Sequence, residues 1–161
     1  MGGTAPVRYA GFWVRTWASL IDSVLLGAIV VPVLWSAYGR GYFAVYLDYY
    51  RQVFGGDWLA PAPPGRGPLD ALMTYAFPAL AVLVFWRFRA ATPGKMAIHA
   101  RIVDARTGAA ATPAQLVGRY LGYFVAIMPL GLGLLWVAFD PRKQGWHDKL
   151  AGTVVVRDPP R

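Results

Sequence analysis

One carboxylate stands alone in an apolar stretch: Asp22 is the single ionisable residue between Thr16 and Trp35. If that stretch crosses a bilayer, an unpaired carboxylate near its middle costs roughly 2.5–3.5 kcal/mol on insertion scales. Burial raises the pKa of such a group and a nearby cation lowers it. Asp22 is therefore a candidate for taking up a proton or holding a cation, and a static hydrogen-bond network would use it equally well. Arg15, Ser19, Asp22 and Leu26 fall within about 60° on a helix of 3.6 residues per turn, so one face carries the polar set. Arg15 lies two turns, about 10 Å, before Asp22, and helical side chains lean towards the N-terminus. Direct pairing is not expected, and each residue needs a partner from elsewhere. Arg119 is the basic counterpart further along, able to reach Asp22, to line the same cavity, or to snorkel to an interface.

The other chemistry-bearing residues exclude more than they suggest. His99 and His147 have no third ligand at usable spacing, so no metal site is expected. The chain has no cysteine, hence no disulfide framework, and its eight acidic residues are all aspartates. Neither a Ser-His-Asp set nor a paired-carboxylate arrangement is legible, so no enzyme and no cofactor are expected. Thr92-Pro93-Gly94-Lys95 offers amides and a lysine to an anion, without the spacing of a phosphate-binding loop.

The elements that must position these residues are apolar and long. Of 161 residues 57% are hydrophobic and only 15% charged, against about a quarter charged in soluble domains. The segments 16–35, 71–86 and 120–139 each approach the ~20 residues that cross a bilayer core. Asp70, Arg87 and Arg89 are expected to snorkel and extend the second. Pro129, Gly131 and Gly133 break the third, so two short helices, 114–128 and 132–139, are expected to turn back there and leave both ends on one side. The expected fold is an all-α membrane protein. It has two transmembrane helices plus a third broken or re-entrant hydrophobic segment, with a short cytoplasmic strand-turn insertion. The spans are placed at 14–37, 69–88 and 114–139, in one domain over 1–161.

The net charge of +8 is distributed as membrane orientation predicts, not as a nucleic-acid footprint. Residues 1–15 carry Arg8 and Arg15 with no acid, and residues 87–119 carry six basic residues against Asp104 alone, while 36–70 is balanced. The positive-inside rule places the N-terminus, the loop 89–113 and the tail 140–161 in the cytoplasm, and the loop 38–68 outside. Phe43 to Phe54 reads as an aromatic interfacial helix, followed by an unstructured Pro-Gly link. Ile98 to Asp104 alternates as a strand, Arg106-Thr107-Gly108 gives a turn, and Thr112-Pro113 starts a helix. Gly118 and Gly122, four apart, permit close helix packing. Pro6 stands where a myristoylation signal wants Ser or Thr, which argues against lipidation.

Three blocks, GFWVRTWASLID, ATPGKMAIHARIVDARTG and GLGLLWVAFDPRKQGWHDKLAGTVVV, together resemble the RDD family of small bacterial membrane proteins. That family is named for an arginine and two aspartates. The resemblance matches them to Arg15, Asp22 and, in the C-terminal block, Asp148, with Asp140 in reserve. It implies a multi-pass protein of the bacterial inner membrane, with a polar core linking Arg15, Asp148 and, deeper, Asp22. For some members cation/proton antiport has been proposed, which would make protons and monovalent cations its partners besides the lipid bilayer. Three hydrophobic segments enclose a pathway poorly, so a homo-oligomer is then expected. Other members serve as membrane partners of unrelated systems, in which case the Arg/Asp set is structural.

Overall fold

The computed structural model describes residues 7–157. The stretch read against lipidation and the last four residues of the expected tail lie outside the described residues. Two compact units are present, Val24–Leu80 and the chain on either side of it.

Helix α1, Phe12–Tyr38, runs 27 residues through Pro32 and stops at Gly39, whose φ of 68° is open to glycine at little cost. A second long helix, Pro68–Arg89, is built from α3 (Pro68–Ala71), a π turn (Leu72–Ala76) and α4 (Phe77–Arg89). The π turn immediately precedes Pro78, which has no N–H to offer the turn before it. Both long helices have the length and apolarity of membrane spans, and only 11% and 17% of their most apolar windows is buried within the protein. Trp13, Trp17, Leu20, Val24 and Ile29 accordingly stand exposed on α1, as a lipid-facing surface requires.

In the unit Val24–Leu80, the aromatic stretch forms α2, Arg40–Phe54, and the Pro-Gly link after it has no regular structure up to Gly67. Asp70 departs from expectation. It does not snorkel; it is 3% exposed and accepts hydrogen bonds from Tyr42 Oη at 2.6 Å, the Arg66 amide at 2.8 Å and Thr74 Oγ1 at 3.1 Å. Three donors close at hand hold the carboxylate better than a stretched excursion to an interface.

In the other unit α5, Pro93–Ala97, makes one turn, and β2, Ala100–Asp104, follows it. The expected turn is there: the Asp104 carboxylate accepts from the Arg106 and Thr107 amides at 2.9 and 2.8 Å. The fold is nevertheless not all-α. β2 pairs antiparallel with β3, Thr153–Arg157, and β3 pairs with β1, Arg8–Tyr9, giving a three-stranded sheet in the order β1-β3-β2. The insertion strand finds its main partner near the other end of the chain, and β3 is buried from Thr153 to Val156. Ile102, Val155, Ala10 and Ala100 pack with Trp86 and Leu116 into the core beneath the sheet.

Helix α6, Pro113–Ile127, begins as its sequence demands. Thr112 Oγ1 accepts from the Gln115 amide, and the Gln115 side chain accepts from the Thr112 amide. The break at Met128–Gly131 separates α6 from α7, Leu132–Phe139, with a bend of 102°. Pro141 follows, holding Asp140 extended (ψ 133°) and ending the helix. A last short helix, α8, Trp146–Leu150, leads into β3.

Candidate functional site

Asp148 is the centre of the polar core. It is 0% exposed, and its two oxygens take different cations. Oδ2 accepts from Arg15 Nη1 at 2.5 Å and from the Gly145 amide at 3.1 Å, while Oδ1 pairs with Arg119 Nη1. Local structure explains its position: at the third residue of α8, a carboxylate reaches back to the amide that opens the helix. Gly122 allows α8 so close to α6, since a Cβ there would lie 2.9 Å from His147 Cα. Gly118 meets nothing within 4 Å, so only one of the two spaced glycines serves packing.

Arg15 fastens the N-terminal end of α1 to this centre. Besides Asp148 it donates through Nε to the Ala10 carbonyl at 2.9 Å and through Nη2 to the Lys143 carbonyl at 2.6 Å. The sequence Asp140-Pro141-Arg142-Lys143 thus supplies a backbone acceptor to α1. Arg119 is wholly buried, neither snorkelling nor paired with Asp22. Nη1 also reaches Thr153 Oγ1 at 3.0 Å, and the guanidinium lies 5.2 Å from the Trp86 ring and 5.8 Å from the Tyr123 ring. Such cation–π contacts offset part of the desolvation of a buried charge.

Asp22 belongs to a second, neighbouring contact. Oδ2 accepts from Thr92 Oγ1 at 2.5 Å and Oδ1 from the Gly94 amide at 2.7 Å. The Thr92-Pro93-Gly94-Lys95 turn does bind an anion, and that anion is the Asp22 carboxylate. Asp22 and Arg15 do not pair with each other; each takes a partner from a distant segment, as helix geometry requires. Asp140 stands apart from the Arg15–Asp148–Arg119 set, paired with Lys149 and accepting from the Arg142 and Gln144 amides at 3.0 and 3.1 Å. Those donors hold its carboxyl below the usual carboxylate range against the opposing effect of burial.

Three participants take places in the polar core that their sequence does not assign them. Lys95 is 6% exposed, with its ammonium 3.4 Å from Thr92 Oγ1 and 5.9 Å from the Trp86 ring. Burial pushes it below the ordinary lysine range, Arg119 and Arg15 add to that, and Tyr123 and Asp22 oppose it. A lysine in a Pro-Gly turn ordinarily signals solvent. His147 stacks on Tyr123 at 4.0 Å and 15°, and among the described residues neither ring nitrogen has a hydrogen-bond partner, although Nε2 lies 3.4 Å from Asp148 Oδ2. Burial first, then Arg119, Arg15 and Lys95, push its pKa far down, so it is neutral. Thr153 completes the set, and only the buried β3 reveals it. His99 is remote in role, at a positive-φ turn residue before β2, and among the described residues no group of three His, Cys, Asp or Glu could hold a metal.

Beside these side chains lies a cavity of about 400 Å³ lined by Arg15, Ser19, Lys95, Arg119, Tyr123 and His147, with Leu134 and Leu135 of α7 as its apolar wall. The polar core and this space are built from α1, the 92–95 turn, α6, α7, the segment 143–148 and β3, which explains how widely its residues are scattered along the chain.

The chain resembles known sequences. A protein of Rickettsia prowazekii named RP437 is 24% identical, over 94% of this chain and 97% of its own. The membrane protein YteJ of Bacillus subtilis is 28% identical over 93% of this chain and 82% of its own. No solved structure matches. The match to the RDD family extends over residues 9–152, from β1 to the end of α8, and the chain belongs to that family.

Proposed function

We propose that this RDD-family membrane protein uses its Arg/Asp set as a structural clamp, and that it acts by interaction or assembly in the membrane and not as an ion path. The observation that carries this reading is the state of the two core carboxylates. Asp22 spends both oxygens on Thr92 and Gly94, and Asp148 spends both on Arg15, Arg119 and Gly145. The space beside them is lined by Arg15, Lys95 and Arg119. Asp22 and Asp148 offset two of these charges, and a monovalent cation about 4 Å from the one left over would be repelled by about 4 kcal/mol at the effective dielectric of a protein surface. Cation/proton antiport through Asp22 needs a carboxylate facing an open path, and this arrangement gives it little support.

The orientation that fits best is a multi-pass protein of the bacterial cytoplasmic membrane with its N-terminus inside. Arg15 ties the start of α1 to the basic segment after α7, so both belong on one side of the bilayer. The 102° bend supports a third segment that enters and returns, which keeps that segment's ends together.

Proteoliposomes carrying an internal pH dye test the reading. Pulses of sodium, lithium or potassium are expected to give the same flat trace for the native protein and for Asp22→Asn. A cation-dependent pH change in the native protein that disappears in the variant would overturn the clamp reading in favour of transport.

A further inference from the structure

The cavity beside the clamp has more positive charge than the described residues neutralise. Arg15, Lys95 and Arg119 face it or border it, and among the described residues Asp22 and Asp148 stand against them, which leaves one positive charge over. Asp140 does not help, being taken by Lys149, and His147 is neutral. Donors are also in excess. Arg119 is wholly buried, and apart from the neighbouring Tyr123 hydroxyl its Nε and Nη2 find no acceptor among the described residues; the ring nitrogens of His147, 3% exposed, are likewise unpartnered there. A buried donor without an acceptor is costly, most of all on a charged group, and a bound acceptor beside it relieves that cost.

The rest of the lining has a different character. Leu134 and Leu135 belong to it, and Leu130, which also borders the cavity, is 96% exposed at the turn between α6 and α7. The cavity thus combines polar donors with leucines, within a volume typical of small-molecule pockets.

We propose that this cavity binds the head of an anionic amphiphile, a carboxylate or phosphate monoanion carried on an apolar chain. The head oxygens neutralise the positive charge left over at Lys95, beside the buried Arg119, and the chain lies along Leu134, Leu135 and Leu130. A free fatty acid and an anionic phospholipid share this chemistry. A simple inorganic anion lacks the chain that the leucine wall calls for. The proposal uses the engagement of Asp22 and Asp148 described above, which the flux assay tests separately.

The test is binding to the full-length protein purified in a neutral detergent and delipidated, read by native mass spectrometry and by tryptophan fluorescence, since Trp86 lies beside both Lys95 and Arg119. The probes are oleate, phosphatidylglycerol, phosphatidylcholine and inorganic phosphate. Saturable binding of oleate or phosphatidylglycerol is expected, at least ten-fold tighter than phosphatidylcholine or phosphate, and whichever anion binds more tightly identifies the source. Lys95→Met is expected to weaken that binding at least ten-fold. It removes no ion pair among the described residues, so the fold is expected to survive; an unchanged melting temperature checks this. Arg106→Gln, an exposed charge change remote from the cavity, is expected to leave binding unaltered. If Lys95→Met does not fold, Ser19→Leu, which fills an exposed edge of the cavity, serves as the second variant and is expected to block binding. Equal binding of phosphatidylcholine, binding of phosphate as tight as that of either amphiphile, no binding of either anion, or no effect of a folded variant would each overturn the proposal.

Discussion

Replacing Gly94 with alanine asks whether Asp22 is held by the α5 turn as tightly as the geometry implies. Gly94 has ordinary helical backbone, so alanine brings no conformational strain of its own, and the whole cost is contact. The added Cβ would overlap the Ala18 carbonyl oxygen and would lie 2.8 Å from that carbonyl's carbon and 3.0 Å from Asp22 Cγ, where ordinary contacts are 3.4–4 Å. Helix backbone on α1 cannot yield, so α5 must retreat by roughly 1.5 Å to reach van der Waals separation. That retreat would break the 2.7 Å hydrogen bond from the Gly94 amide to Asp22. If α5 retreats, a hydrogen bond to a charged group is lost, worth about 1.5–3 kcal/mol. If it stays, overpacking costs about 1–3 kcal/mol. These are alternatives, not additive terms, so the expected loss is about 1.5–3 kcal/mol. At about 2–4 °C per kcal/mol for a chain of this size, melting in detergent should fall by roughly 3–12 °C. Gly118→Ala is the control: its Cβ meets nothing within 4 Å, and alanine favours the helix by up to about 1 kcal/mol. If Gly94→Ala melts together with the native protein and Gly118→Ala, the close docking of α5 on α1 is wrong.

Two further outcomes follow from the same core. Gly122→Ala would place a Cβ 2.9 Å from His147 Cα and is expected to loosen α8 from α6, seen as lost amide protection from Trp146 to Leu150 in hydrogen exchange while the amides of α1 stay protected. His147 stays neutral in the folded state, whereas in the unfolded chain it gains a proton below about 6.5. The unfolded state then binds more protons, so stability should fall as the pH drops below 6.5, by up to about 1.4 kcal/mol per unit. His147→Phe, which keeps the stack on Tyr123, should flatten that slope in melting curves taken between pH 7 and 5.

Much of this molecule is readable from short-range pattern, and the unreadable part is where distant segments meet. The long apolar helices follow from the runs around Asp22 and Pro78. The 102° break follows from Pro129, Gly131 and Gly133, and the start of α6 follows from Thr112-Pro113 with Gln115. Each of these needs only neighbours in sequence. The sheet does not: β3 reads as a plain Val-rich tail, and nothing local says that Arg8–Tyr9 will lie against it. The polar core divides the same way. Arg15 and Asp22 stand out as charges in apolar surroundings, and helix geometry excludes their pairing. Asp148 is readable as the partner of Arg15 through the family resemblance alone, while Lys143, Thr92 and Gly94 come from turns that look solvated. Lys95 misleads for that reason, and Asp70 misleads because its partner Tyr42 lies 28 residues earlier.

A double-mutant cycle on Arg119 and Asp148, measured as unfolding free energy in detergent, tests the clamp most directly. Asp148→Leu strands the wholly buried Arg119 and should cost about 3–5 kcal/mol. Adding Arg119→Met removes the stranded charge and leaves only Arg15, whose side chain is 12% exposed and can reach water. The account therefore expects the double variant to be more stable than Asp148→Leu alone, a coupling well beyond the 0.3–0.5 kcal/mol scatter of roughly additive sites. Costs that simply add would contradict it, because they would mean that the arginine and the aspartate do not hold each other in the folded protein.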